Sequence, residues 1–472
     1  MFISKKQYYI FLTFFSLSFY SLNIEVRAQS SVNDATVETI ESIGRDLVKL
    51  LDDLVYGERD PTVRLDLEPV IEKVNETAFK TPIFREAESN IKLLETKKAE
   101  LIASTGPTIR ASGNLGQRTY QSSTTSGEQI RTTGQYFQPS IKTSMLLFDF
   151  GAIKNKIKSN DYEIQATQAR IDSIKSEIFL EIITSFYEVQ RHLLQSRLAR
   201  ENLQSRKTFV NFIRERNELG ASSSADVVRA ESRVAGALEL LANSLRNLKQ
   251  AQANYRQYFN EEAEPYVLPK ELSVEALNEF DLENYLTSHP DVLAGQFSVS
   301  SAEAQLNAIE AENKGSLSIQ GEFSYSMNPG SYTFNDDISA GLVFSRDLYT
   351  GGTEILKKER GELAVYQSEL ELDKTRINLA KNIRESFAGY EGSVSAVDAQ
   401  MLVLKGAKES YSITKELYAF SRVSLFEVLS SQEELFNSGT KLIDSIVNRA
   451  LAKYQLLHST QKLFEQIENE FY

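Results

Sequence analysis

Phe148-Asp149-Phe150-Gly151 ends a run of alternating residues and opens a helix; 201 residues on, Tyr349-Thr350-Gly351-Gly352 stands at the same kind of junction. The same shift carries Ser185-Phe186 onto Ser386-Phe387. It also carries Ser223-Ser224-Ala225-Asp226-Val227-Val228 onto Ser424-Leu425-Phe426-Glu427-Val428-Leu429. One offset that aligns three motifs over roughly 80 residues marks a duplicated structural unit, matched in residue class more than in identity. Each copy reads as strand, long helix, turn, long helix.

Upstream of each junction the sequence alternates with period two. Ile109, Ala111, Gly113 and Leu115 alternate with Arg110, Ser112, Asn114 and Gly116; Ile141, Thr143, Met145 and Leu147 alternate with Lys142, Ser144, Leu146 and Phe148. In the second copy the apolar sets are Leu317, Ile319, Gly321, Phe323, Tyr325 and Ile338, Ala340, Leu342, Phe344. Strands of about ten residues follow, with an apolar and a polar face. The polar, Ser/Thr/Gly-rich connection 118–135 and the connection 328–337 read as exposed hairpin loops. Alternation alone leaves two readings open: a soluble sheet with one face on a core, or a barrel wall with its apolar side toward lipid. Aromatic residues near the strand ends (Tyr136, Phe137, Phe148, Phe150, Tyr325, Phe344, Tyr349) fit an interfacial girdle.

Downstream, residues 152–218 contain neither Pro nor Gly. Ile157, Ile164, Ile171 and Ile178 recur every seven residues, and Ile164, Ile171, Ile178, Ile182 and Phe186 shift onto Val365, Leu372, Leu379, Ile383 and Phe387. After the turn, Val227, Val234, Leu241, Leu248 and Tyr255 recur every seven again. Sustained heptads predict coiled-coil packing. A helix of such length measures about 100 Å, more than an ordinary soluble domain needs. At the turns, Leu219-Gly220-Ala221 ends one helix, and Ser223 with Asp226, like Ser424 with Glu427, predicts a capping box at the start of the next. These residues start helices; small residues at a tip also let another helical hairpin approach closely.

The remaining chain organises around these copies. Lys5 and Lys6, the apolar stretch Tyr8 to Leu22, and Val26-Arg27-Ala28 read as a signal peptide, residues 1–28, cleaved before Gln29. Residues 29–80 form an N-terminal extension, helical from Thr36 to Leu54, broken at Gly57 to Pro61 and then helical again. Residues 81–261 are the first repeat, opening with a helix from Pro82 to about Thr105. Residues 262–288 are a linker, and 289–472 the second repeat, opening with a helix from Pro290 to Lys314. The fold class is mainly α with a small β part. Beyond the signal there is no run of about 18 apolar residues, so only strands closed into a barrel could cross a membrane. Net charge −13 argues against nucleic-acid binding. With Cys 0, disulfides and a lipidated cysteine are excluded.

At this point the residues resemble the TolC-like outer membrane factors, the exit ducts of tripartite efflux pumps and type I secretion systems. The matching pieces are SMLLFDFGA (144–152), NELGASSSADVVRAES (217–232), GLVFSRDLYTGGT (341–353) and AFSRVSLFEVLSSQEEL (419–435), within a likeness covering about residues 82–472. The resemblance implies a homotrimer whose three four-strand contributions close a twelve-stranded barrel in the outer membrane, with the helices forming a periplasmic tunnel. It implies that the hairpin tips dock a periplasmic adaptor protein linked to an inner-membrane transporter, ABC-type or proton-driven. The docking positions then map to Gly220, Ala221, Ser223, Asp226, Ser421, Ser424 and Glu427, with Glu427 also an acidic gate position. Ser430 stands where a second acidic ring is expected, and Ser421 where many members have Gly.

Catalytic chemistry is not legible. The three His (His192, His289, His458) are far apart in sequence and lack metal-ligand spacing, and no phosphate-binding Gly motif occurs. The expectation is a passive duct without metal or cofactor. The competing readings are a structural coiled-coil envelope protein whose strands form a soluble cap, and an envelope enzyme.

Overall fold

The computed structural model describes residues 44–59, 68–123, 127, 129–220, 222–263, 274, 277–327, 334–420 and 422–471. The signal peptide, residues 29–43 of the extension, Ala221 and Ser421 lie outside the described residues. The protein is mainly helical. In chain order come α1 (Arg45–Arg59), α2 (Glu68–Ala78), α3 (Pro82–Ala103), β1 (Thr108–Ser123), β2 (Gln129–Phe148), α4 (Ala152–Glu218) and α5 (Ser224–Phe259). There follow α6 (Leu282–Ser288), α7 (Pro290–Glu312), β3 (Ser316–Met327), β4 (Phe334–Ser345), α8 (Thr353–Ala419), α9 (Leu425–Ser459) and α10 (Leu463–Phe471). The duplication is plain: α4 and α8 both have 67 residues, and α5 and α9 have 36 and 35.

Three details depart from the sequence expectation. The strands run longer than ten residues, at 16, 20, 12 and 12. Helix α1 continues through Gly57 to Arg59, because its four buried leucines (Leu47, Leu50, Leu51, Leu54) hold it in place against the helix-weakening glycine. Within residues 262–288 a 3-10 turn (Glu279–Asp281) leads into α6.

The four strands form one antiparallel sheet in the order β1-β2-β3-β4. Directly opposed residues share a face, so the register fixes the two faces. Ile109↔Thr143, Ala111↔Ile141, Leu115↔Phe137, Ile141↔Phe323, Met145↔Ile319 and Ile319↔Leu342 build one apolar face. Its residues Ile109, Leu115, Ile141, Ile319, Ile338 and Leu342 are exposed. The opposite face carries Arg110, Ser112, Ser140, Lys142, Glu322 and Ser339, with a Lys142–Glu322 ion pair of 3.0 Å and a Ser112–Ser140 hydrogen bond of 2.8 Å. Alternation places Phe148 on the polar face. The register shift between Leu146 and Phe148 instead sets it opposite Leu317, because a bulge turns one residue over. The apolar face therefore extends to Phe148 and Phe344 at the helical end of the sheet. Among the described residues neither β1 nor β4 has a strand on its outer side.

At each strand-to-helix junction the sequence copies repeat their chemistry. Gly151 N and Ile153 N donate to the Asp149 carboxylate at 3.0 and 2.7 Å, while Phe150 and Gly151 take positive φ. In the second copy Glu354 N donates to Thr350 Oγ1 at 3.4 Å, and Gly351 and Gly352 take the positive φ.

The helices divide into two compact units, to both of which α4, α5, α8 and α9 contribute. One unit comprises residues up to 63, 191–250 and 398–444. Its core holds Leu198, Phe209 and Ile213 of α4, Leu404 and Tyr411 of α8, and Val428, Leu435 and Leu442 of α9. The other comprises 64–190, 251–397 and 445–472. Its core stacks Tyr187 and Phe179 against Tyr454 at 5.8 and 6.4 Å, with Phe464 of α10 beside Phe179 at 5.7 Å. A second cluster there joins Tyr285, Leu286, Val292, Leu379, Ile383, Phe387 and Leu456.

The two readings of the sheet separate on one measurement. Arginine at Ile141 is expected to cost about 2–4 kcal/mol in unfolding from phospholipid vesicles, and arginine at Ser140, one residue away on the polar face, close to nothing. Equal costs at the two positions would sink the assignment of faces.

Candidate functional site

The two helical hairpin tips, both in the first unit, are built by the same local rules. At the first, α4 ends at Glu218 and Gly220 takes φ 73°, a left-handed turn that favours glycine. Asn217 Nδ2 donates to Ser222 O at 2.7 Å, holding the turn. Ser223 then caps α5: Asp226 N donates to Ser223 Oγ at 3.1 Å, and Ser223 N donates back to Asp226 Oδ2 at 3.2 Å. Ser223 Oγ and Ser222 Oγ also donate to the same carboxylate oxygen, at 2.8 and 3.3 Å. These bonds, Ser223's above all, hold the Asp226 carboxyl below its usual range.

The second tip repeats the arrangement with a longer acid. Glu427 N donates to Ser424 Oγ at 3.3 Å, and Ser424 N donates to Glu427 Oε2 at 3.0 Å. Both boxes expected from sequence are therefore made. Around them three large apolar side chains stand in the open: Leu219 (83 % exposed), Phe420 (75 %) and Phe426 (63 %). Isolated from water, such residues would each contribute about 1.5–3 kcal/mol. Ser430 is exposed one turn beyond Glu427 and Glu434 is exposed two turns beyond, so the exposed stripe of α9 carries its second acid at Glu434.

Between the two hairpins, beside the apolar core, runs a line of polar contacts that no local pattern announces. Gln432 Nε2 of α9 donates to Ser205 Oγ of α4 at 2.9 Å. Arg206, buried, donates through Nε to Asn202 Oδ1 at 3.3 Å and through Nη1 to Arg233 O at 3.3 Å, and Arg233 pairs with Glu433 at 2.6 Å. Burial lowers the Arg206 pKa and pushes Tyr411, beside it, up to about 12. Further along α4, Gln195 Nε2 donates to Asp444 Oδ1 at 2.8 Å with Arg191 at 3.4 Å, and His192 is hydrogen-bonded to Gln195 at 3.0 Å. Burial raises the Asp444 pKa.

In the second unit the fold brings together two histidines that are 169 residues apart in sequence. His289 caps α7, its Nδ1 accepting from Asp291 N at 3.2 Å, and His458 is bonded to Ser176 at 2.8 Å. Asp291 faces both rings and accepts from Ser173 at 3.2 Å. Burial pushes His289 down to about 4 and lowers His458, so both rings are neutral at pH 7. Among the described residues no group of three or more His, Cys, Asp or Glu is placed to hold a metal ion.

Comparison with known proteins gives the context. A family model described as "Outer membrane efflux protein" matches residues 80–261 and 282–463, the two repeats in turn. The outer membrane efflux protein BepC of Brucella suis is 21 % identical over 344 residues, covering 72 % of this chain and 74 % of that protein. Nodulation protein T of Rhizobium leguminosarum bv. trifolii is 22 % identical over 398 residues, covering 80 % and 79 %. The crystal structure of the outer membrane protein VceC from Vibrio cholerae shares the fold at TM-score 0.70 and 14 % identity, covering 83 % and 96 %.

Two measurements check the local chemistry. Ser223→Ala and Ser424→Ala are each expected to lose about 1 kcal/mol, read as faster amide exchange confined to the first turn of α5 or α9; unchanged exchange there would count against the caps. For His289 the folded pKa lies below the ordinary 6.5, so its neutral form contributes stability that is present above pH 6.5 and lost as pH falls toward about 4. His289→Asn keeps a capping acceptor without the charge change. It is expected to flatten the loss of stability between pH 7 and pH 4.5, and parallel profiles for the two proteins would refute the role.

Proposed function

The chain belongs to the outer membrane efflux protein family, and we propose that it is a passive, trimeric exit duct of a tripartite efflux pump or type I secretion system. It sits in the outer membrane. The observation that carries the reading is the open four-stranded sheet, apolar on one face and, among the described residues, bare at both edges. In lipid every backbone N–H and C=O must be paired within protein, so an open sheet is not a membrane structure until β4 of one copy meets β1 of the next. Four strands are too few to close on themselves around a bore, and three copies give twelve, within the range of membrane barrels. Helix α8 supports the same closure: Ile355, Leu356, Leu363, Tyr366, Leu370 and Ile377 are exposed on it, and a neighbouring copy would cover them.

In this reading the helices enclose a water-filled bore and the tips form its closed end. Gly220, Ala221, Ser223, Asp226, Ser421, Ser424 and Glu427 dock a periplasmic adaptor, whose helices cover Leu219, Phe420 and Phe426. Three Glu427 carboxylates form the gate. The energy, and with it the choice of cargo, belongs to the inner-membrane transporter that the adaptor recruits. The chain itself performs no catalysis.

Detergent-extracted protein is expected to have the mass of three chains, and to give small single-channel conductance in planar bilayers that rises several-fold in Glu427→Ala. A protein extracted as a monomer without detergent would return the soluble-cap reading. Trimers whose conductance ignores Glu427→Ala would move the gate elsewhere.

A further inference from the structure

Helix α1 lies outside the span that the family model matches, yet its leucine face is buried in the first unit. Leu47 and Leu51 are each 1 % exposed. Leu51 reaches α9 at Gly439, where a methyl group would stand 2.6 Å from its Cδ2 and 3.3 Å from Leu198 Cδ2 of α4. Only glycine lets the three helices meet so closely. Before the helix, Gly44 packs against Ser205 of α4 and Tyr411 of α8, a methyl there falling 3.1 Å from each side-chain oxygen. On the outer side Lys408 of α8 grips both carboxylate oxygens of Asp52, at 2.6 Å each. Thus one fifteen-residue helix touches α4 of the first hairpin and both α8 and α9 of the second.

We propose that α1 is a strap that holds the second hairpin against the first and so keeps the duct closed until a partner loads the tips. The inference rests on the gate reading above. Opening the tips requires the α8–α9 hairpin to move away from α4, and α1 spans that line of separation. The contact beneath the strap mixes buried polar groups (Ser205, Gln432, Arg206) with apolar ones such as Phe209 against Tyr418 at 6.0 Å, and the leucines of α1 extend its apolar part across both hairpins. The strap therefore adds to the apolar part of the restraint. α1 slips or lifts when the hairpin moves, and its return reseals the bore.

The chain contains no cysteine, so a single engineered pair reports on the strap alone. Trimers carrying D52C and K408C in the Glu427→Ala background are bridged with a reducible bis-methanethiosulfonate and recorded in planar bilayers before and after reductant. Bridging is expected to lower conductance at least about fivefold, with full recovery on reduction. In the otherwise unchanged chain, Leu51→Ala with Leu54→Ala is expected to raise basal conductance about threefold, and Asp52→Ala, which leaves the leucines in place, to raise it less. Conductance that is the same bridged and reduced overturns the strap while leaving the duct standing. Trimers that conduct in neither state overturn the duct reading, and the strap with it.

Discussion

A sheet that presents apolar side chains on one face, and whose edge strands β1 and β4 meet no further strand among the described residues, cannot be an end state in lipid. Each unpaired group left in hydrocarbon costs several kcal/mol, and β1 and β4 are 16 and 12 residues long. In the proposed duct the rest of the chain's plan serves to satisfy those edges with further copies. The strands must be long enough to cross, the bulge at Phe148 must keep the apolar face continuous to the helical end, and the helices must leave the barrel in the same cyclic order as the strands. The duplication simplifies that task, because one strand-pair-plus-hairpin unit repeated twice per chain needs only one solution to the strand-to-helix turn. Asp149 and Thr350 are two versions of that solution.

The contrast between the two copies is as informative as their likeness. Positions of α4 such as Ile178, Ile182 and Ile183 are sealed within the chain, while α8 carries its heptad residues Leu379, Ile383 and Phe387 inward and a second apolar stripe outward. Two copies of one sequence plan have diverged because one is surrounded within the protomer and the other stands at its boundary. A stripe such as Leu363, Tyr366 and Leu370 on a soluble monomer would invite aggregation; in the proposed trimer a neighbouring copy would cover it.

Local features were legible in the sequence and long-range ones were not. The capping boxes at Ser223 and Ser424, the turn at Gly220 and the two faces of the strands depend on residues within a few positions of each other, so spacing alone reveals them. The bulge that turns Phe148 over depends on how β3 pairs with β2, which no pattern in either strand encodes. His289 and His458 meet only because α7 and α9 pack on α4, and the sequence shows two isolated histidines. The leucines of α1 announce a helix, but nothing near them says that Gly439 is their partner.

The hairpins are stiff within themselves and joined to each other by side chains alone, and a gate of the proposed kind would work on that difference. The starts of α5 and α9 are locked by reciprocal bonds within four residues, and each helix of the hairpins is continuous over many turns, so bending them is costly. Between the hairpins of the first unit the contacts at Ser205–Gln432 and Arg233–Glu433 exchange for water at a net cost of about 1 kcal/mol each. A force applied at the tips therefore separates rods rather than melting them. Its work would be spent against polar bonds such as Ser205–Gln432, against the apolar core that Phe209 shares with Tyr418, and against the leucines of α1.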